Sequence, residues 1–241
     1  LYGSWSTNDN IVKTIIDNDS NTDELNIYSG LVHFSGHGSL NLIAAEGKPF
    51  GTYKGTTYQY DPQGRIIVDA QGNPKQSAEL EYLGSYQPDF QASLGTELMI
   101  DGRWSIRALL DGRKGGLFYS GTKLSTEFNG TALTTTLEDR KPFVVPNSVV
   151  EDGAGGYTRN TIETSAYTYF RGAPAGANLL DASYLKLREV AVSYTLPLSS
   201  TGAFKRITVG LFAKNLKYWV AKENTFADPE VGGVGGASDA V

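Results

Sequence analysis

The sequence predicts an all-β fold built from antiparallel hairpins, and three observations carry that expectation. Apolar residues recur at every second position in segments bounded by Gly, Asn, Asp and Pro. Glycine and tyrosine are abundant, at 28 and 14 of 241 residues, a balance that suits turns and strands. No long segment shows the i, i+3, i+4, i+7 spacing of an amphipathic helix.

The clearest hairpin spans residues 88–112. Phe90, Ala92, Leu94, Leu98 and Ile100 fall on one face, and Gln91, Ser93, Gly95 and Glu97 on the other. Asp101-Gly102 supplies a turn dipeptide that tolerates positive φ. The return strand sets Trp104, Ile106, Ala108 and Leu110 against Ser105, Arg107 and Asp111. A second hairpin is expected over 190–218. Val190, Val192, Tyr194 and Leu196 form its first apolar band, and Ile207, Val209, Leu211 and Ala213 the second. Pro197 and the Ser-Ser-Thr-Gly run turn the chain between them. Aromatics flank these bands at Tyr194, Phe204, Tyr218 and Trp219.

Further strands are expected within 2–16, 27–45, 50–60 and 160–170. Residues 61–76 read as turn, short strand, turn. Residues 113–160 are polar, glycine-rich and weakly periodic, which predicts a long loop region. The tail 231–241 is low in complexity and is expected to be flexible.

The stretch 181–200, read as a strand, poses a parity problem. Leu185 and Leu187 are odd, whereas Val190, Val192, Tyr194 and Leu196 are even. The switch predicts a bulge or local twist near Arg188–Glu189. Val190 and Val192 are expected to point one way, and Leu185 and Leu187 to lie off their face.

Composition narrows the function classes. There is no cysteine, which excludes a disulfide scaffold, a thiolate metal site and a Cys nucleophile. The formal net charge of −5 gives no basic surplus for a nucleic-acid partner. No apolar run is long enough for a membrane helix, but barrel strands alternate and never produce such a run. The sequence starts at Leu1, which leads us to expect a processed or truncated piece.

Candidate chemistry is sparse. His33 and His37 share a strand face, yet no carboxylate or third His lies nearby, so two polar side chains beside a glycine bend explain them better. Asp61, Asp69 and Asn73, with Gly64 and Gly72, lack the spacing and closing Glu of a calcium loop and read as two β-turns. No GxSxG elbow accompanies the Ser, His and Asp residues, and paired catalytic carboxylates cannot be assigned. An enzyme is not expected, and no cofactor or metal is assigned. Tyr157, Tyr167, Tyr169 and Phe170, with Arg171, cluster near a glycine-rich loop. They are candidates to contact a ligand or a partner lid, against the alternative of a girdle or loop packing. Asp228, Pro229 and Glu230 read as a structural turn.

Alternation suits both a soluble sandwich and a membrane barrel. Three details fit the barrel: strand lengths near those of a tilted spanning strand, aromatics at the ends of the apolar bands, and short turns alternating with very long connections.

Several stretches also occur in an order that marks a family. They are EGKPFGTYKG (46–55), QGRIIVDAQGNP (63–74), LGSYQPDF (83–90) and LLDGRKGGLFYSGTK (109–123), then ASYLKLREVAVSYTLP (182–197) and LFAKNLKYWVAKENTFADPE (211–230). Together they resemble the C-terminal part of the TonB-dependent outer-membrane transporters of the SusC/RagA family, known from Bacteroidetes. The 182–197 stretch is the most specific.

The resemblance implies an antiparallel transmembrane β-barrel segment with long extracellular loops, part of a plugged barrel of about 22 strands. Residues 1–230 would be its C-terminal section, with the plug domain and final strand outside this sequence. It implies import of oligosaccharides or peptides across the bacterial outer membrane. The implied partners are a SusD-like lipoprotein, the rest of the barrel, outer-membrane lipid, and TonB through an N-terminal part not seen here. Lipid would be met by Phe90, Leu94, Leu98, Trp104, Ile106, Val190, Val192, Tyr194, Ile207, Val209 and Leu211. Gln91, Ser93, Glu97, Ser105, Arg107 and Asp111 would line the lumen. The competing functions are a soluble secreted glycan-binding β-sandwich and a passive porin-like barrel.

Overall fold

A computed structural model describes residues 1–16, 23–28, 38–198 and 204–230. The chain forms β1 (Tyr2–Thr7), β2 (Glu24–Tyr28), β3 (Leu40–Ala45), β4 (Thr52–Gly55), β5 (Ile66–Val68) and β6 (Glu81–Ser85). The long strands β7 (Phe90–Ile100) and β8 (Trp104–Lys114) follow, then β9 (Leu117–Tyr119) and helix α1 (Gly121–Phe128). Short strands β10 (Phe143–Val144), β11 (Ser148–Glu151), β12 (Tyr157–Arg159) and β13 (Glu163–Thr164) lead to helix α2 (Ala166–Arg171). The chain closes with β14 (Leu179–Asp181), β15 (Tyr184–Thr195) and β16 (Thr208–Val220).

These elements belong to two compact units. The first comprises 1–9, 88–116 and 181–223, and the second 10–87, 117–180 and 224–241. The first unit is a five-stranded sheet in the order β1-β7-β8-β15-β16, antiparallel throughout. Strand polarity fixes which ends carry the connections. Thr7, Phe90, Lys114, Tyr184 and Val220 lie at one end, where every long segment leaves or re-enters the sheet. The β7–β8 turn closes the other end, with Asp101 and Gly102 both at positive φ, as that dipeptide allows. The Ser-Ser-Thr-Gly turn expected between β15 and β16 lies outside the described residues.

The hairpin at 88–112 takes the expected register, with Leu98 opposite Ile106 and Glu97 opposite Arg107. β15 carries the expected irregularity, between Leu187 and Glu189. Its consequence is the reverse of the one expected. Leu187 sits opposite Leu110 and Leu185 opposite Gly112, on the face where Val190, Val192 and Tyr194 oppose Ala108, Ile106 and Trp104. The bulge inserts one residue and sends two successive side chains to the polar face. Arg188 reaches Asp111 at 2.7 Å and Glu189 faces Arg107 at 3.6 Å. The odd leucines are thereby brought into step with the even valines. The side chain of Leu185 covers Gly112, where an added Cβ would meet its Cδ1 at 3.4 Å.

The second unit contains a four-stranded sheet (β2-β3-β4-β6), a three-stranded sheet (β12-β11-β5) and two short strand pairs. Two apolar clusters hold it. One gathers Leu40, Leu42, Tyr53, Tyr119, Leu124 and Ala175. The other gathers Val68, Phe143, Val145, Ala166 and Phe170.

Several sequence expectations are corrected here. Residues 113–160 are not one long loop but carry β8's end, β9, α1, a 3-10 segment and β10 to β12. Residues 160–170 hold the two-residue strand β13 and most of α2 instead of one continuous strand, because Ser165 accepts a hydrogen bond from the Thr168 amide and caps a helix. Only Tyr2–Thr7 of 2–16 and Thr52–Gly55 of 50–60 are strand. The 27–45 region holds parts of two strands, and His33 and His37 lie outside the described residues, as does the tail 231–241. The turn readings hold. Asp61 accepts from the amides of Gln63 and Arg65, and Asp69 from those of Gln71 and Asn73. Asp228 accepts from the Glu230 amide.

Candidate functional site

Two surfaces carry the polar groups, one in each unit. On the sheet, Asp111 is the hub. Ser93 donates to it at 2.9 Å, Tyr184 at 3.3 Å, and Arg188 at 2.7 and 3.2 Å. Beside it Arg107 lies 3.6 Å from both Glu97 and Glu189, and Ser105 donates to Glu97 at 3.2 Å. Ser93, Glu97, Ser105, Arg107 and Asp111 therefore share one face, as their parity required, and Gln91 lies on it opposite Arg113. Lys186 stands on the same face, buried between the rings of Tyr184 and Tyr218 at 5.0 and 5.9 Å.

The opposite face is apolar. Leu94, Leu98, Trp104, Val192, Val209 and Leu211 are all exposed on it, with Phe90 at its end. Ile106, Val190 and Tyr194 are half-buried among them. Ile207 precedes β16, where its carbonyl accepts from the Leu196 amide. Aromatics gather in two cross-strand rows on this face. One row runs Trp5, Ala92, Gly112, Leu185, Trp219. The other joins Ile100, Trp104, Tyr194 and Val209, with the Trp104 and Tyr194 rings 4.6 Å apart.

In the second unit α1 and α2 build a pair of clefts. Ser120 caps α1 through the Lys123 amide, and Lys123 and Glu127, one turn apart, pair at 2.9 Å. A cleft of about 350 Å³ is lined by Glu127, Phe128, Arg140, Tyr167, Phe170 and Arg171 among others. A second, of about 620 Å³, is lined by Tyr58, Tyr60, Lys123, Phe143, Tyr169 and Phe170 among others. Tyr167 and Arg171, four apart on α2, share the first cleft. Tyr169 faces the second, stacked on Tyr58 at 6.4 Å and edge-on to Phe143 at 5.3 Å. Burial pushes the Tyr58 phenol far up, with Tyr169 beside it adding to the shift, and burial raises Tyr169 as well. Neither phenol ionises near neutrality, so both serve as hydrogen-bonding aromatic surface.

Four of the five expected contact residues thus line the clefts. Tyr157 does not; it sits on β12, paired with Glu151 on β11. Closeness in sequence to a glycine-rich loop misplaced it, whereas the helix joins 167 to 171. Sequence reasoning missed Phe128, Arg140, Glu127 and Tyr58. The signal for α1 was present in the Ser120 cap position and the Lys123/Glu127 spacing. Among the described residues no group of three His, Asp or Glu could hold a metal ion.

No protein-family model matches the sequence, and no curated protein matches it. Solved structures do resemble it. The chain superposes on the RagAB peptide importer in its closed-closed state with a TM-score of 0.52 and 21% identity. That match covers 91% of this chain and 23% of the other. A RagAB peptide transporter and the importer in its open-open state match at a TM-score of 0.50, with 18% and 19% identity over 88% of this chain. The chain thus spans about a quarter of the length of the chains it resembles. The fold is that of an antiparallel β-barrel segment, shared with those importer chains.

Proposed function

We propose that this chain is part of a SusC/RagA-type outer-membrane importer: its sheet is a section of barrel wall and its second unit belongs to the outer loops. The two aromatic rows carry this reading. On β8 they lie at Trp104 and Gly112, nine residues inclusive, the length of a tilted spanning strand. That interval is about 27 Å along the strand at ~3.4 Å per residue, and tilt brings it near the height of a lipid-facing band bounded by girdles.

The lipid contacts would be the apolar residues named above, now with Leu185 and Leu187 added. The paired charges around Asp111 and Arg107 would line a wet lumen. The cargo would be peptides or oligosaccharides, captured together with a SusD-like surface lipoprotein and driven through by TonB. The similarity to a peptide importer supports a peptide cargo first. A soluble sandwich is less well supported, because it requires a second sheet over Leu94, Leu98, Val209 and Leu211, which are exposed.

The test is genetic. Deleting the gene in its own host should abolish growth on the cargo class as sole nutrient, peptide or oligosaccharide. The protein should fractionate with outer membranes and carry a lipoprotein through detergent purification. Unimpaired growth on both classes, together with a protein found free of membranes, would sink the reading.

A further inference from the structure

Arg171 is held in an unusual way. Its guanidinium carbon lies 3.8 Å from the centre of the Phe128 ring and 4.7 Å from that of Tyr167. Among the described residues it makes no hydrogen bond or ion pair, so its planar fork of N–H donors is oriented but not used. It lines the 350 Å³ cleft, where Arg140 is the second cation. Arg140 donates through Nη2 to the Gly130 carbonyl at 2.8 Å. The carboxylate that lines the cleft, Glu127, is fully engaged: one oxygen accepts from Lys123 at 2.9 Å and the other from Thr134 at 2.8 Å. The cleft therefore presents two guanidinium groups beside a lining carboxylate that is already paired. Rings that hold the fork flat lower the entropy cost of using it.

We infer that Arg171 and Arg140 bind a carboxylate of the imported ligand in this cleft, with Phe128 and Tyr167 orienting Arg171. A carboxylate matches the guanidinium fork through two parallel N–H···O bonds. The volume accommodates the end of a chain, not its length. Two sources share this chemistry: the free C-terminus of a peptide and the uronate group of an acidic oligosaccharide. The inference rests on the import reading, and its test is arranged so that the two fail separately.

The intact protein, purified in detergent, would be titrated with four probes. These are a mixed-sequence pentapeptide pool with free C-termini, the same pool amidated, oligogalacturonate, and the same oligogalacturonate fully methyl-esterified. We expect the acid form of one pair to bind about tenfold or more tightly than its neutral counterpart, which also names the source. Arg171→Gln should erase that preference. Arg140→Gln, on a different segment, should weaken it by a smaller factor. Arg171→Lys should restore part of it, which a merely misfolded site would not. Equal binding of acid and neutral probes would overturn the inference and leave import standing, as would an acid preference that survives Arg171→Gln. No binding of any probe, combined with unimpaired growth of the deletion strain, would remove the import reading itself.

Discussion

Leu40, at the centre of the second unit, is fully buried, whereas Leu211, on the outer strand of the first, is 83% exposed. The contrast runs through the whole chain. Among the described residues, Ala182 apart, every buried apolar residue belongs to the second unit. Most of the exposed large apolar side chains belong to the sheet. The region with strict alternation thus has no core of its own, and the region without visible periodicity has two apolar clusters. Alternation here does not record a buried face. It records an exposed apolar face, with the hydrogen-bonded charges on the other side.

The sharpest way to break this contrast is to cut into the second unit's core. Leu40→Ala should cost about 2–5 kcal/mol, seen as faster protease cleavage in that unit. The same change at exposed Leu94 should leave cleavage nearly unaltered. Equal sensitivity at both sites would mean that the sheet face is buried after all. Next comes a charge on the sheet. Val192→Arg should cost about 2–4 kcal/mol if the face meets lipid, read as a drop in folded protein extracted from outer membranes. A face in water would tolerate it.

A smaller effect is expected on the polar face. Asp111→Ala leaves Arg188 without its carboxylate and should cost about 1–3 kcal/mol, measured by urea unfolding of the detergent-solubilised protein. Arg188→Ala should cost less in the wild-type background and almost nothing after Asp111→Ala, since the two act as one pair. The smallest effect concerns acid. The hydrogen bond from Lys54 holds Glu24 below the usual carboxylate range, and the Tyr82 hydroxyl adds to it. A depressed folded value means the stabilisation is present above the unfolded value and is lost as pH falls through the folded one. Glu24→Gln should therefore flatten the acid side of the second unit's pH profile by a fraction of a kilocalorie, about 0.2–1 kcal/mol.

The sheet was legible because its side chains obey one rule. Parity assigned Glu97, Arg107 and Asp111 to one face and Leu98, Trp104 and Ile106 to the other, and each pairing follows. The bulge was legible as a break in that rule, but not its outcome. Parity counts residues, and only the register across β8 reveals that the bulge absorbs the extra residue and so returns the leucines to the valines' face. The second unit was legible only at its turns and the short strand between two of them. Its strands are as short as two residues and its helices six and eight, too few for a period to show. The contact candidates at 167–171 were found by composition. Their grouping with Phe128 and Arg140 depends on tertiary packing that no local pattern encodes.

Arg188 is an extra letter in a reading of pairs, and the bulge is what absorbs it. Were the strand to run straight through with that residue in place, Leu185 and Leu187 would turn towards Asp111, and Lys186 and Tyr184 would move to the side where Trp219 and Trp5 stand. With Arg188 deleted no bulge is needed: Leu187 stands two positions before Val190, and the strand keeps its two sides at the cost of the Arg188–Asp111 pair. In this sheet the bulge is the device that keeps the two sides consistent over the full length of β15.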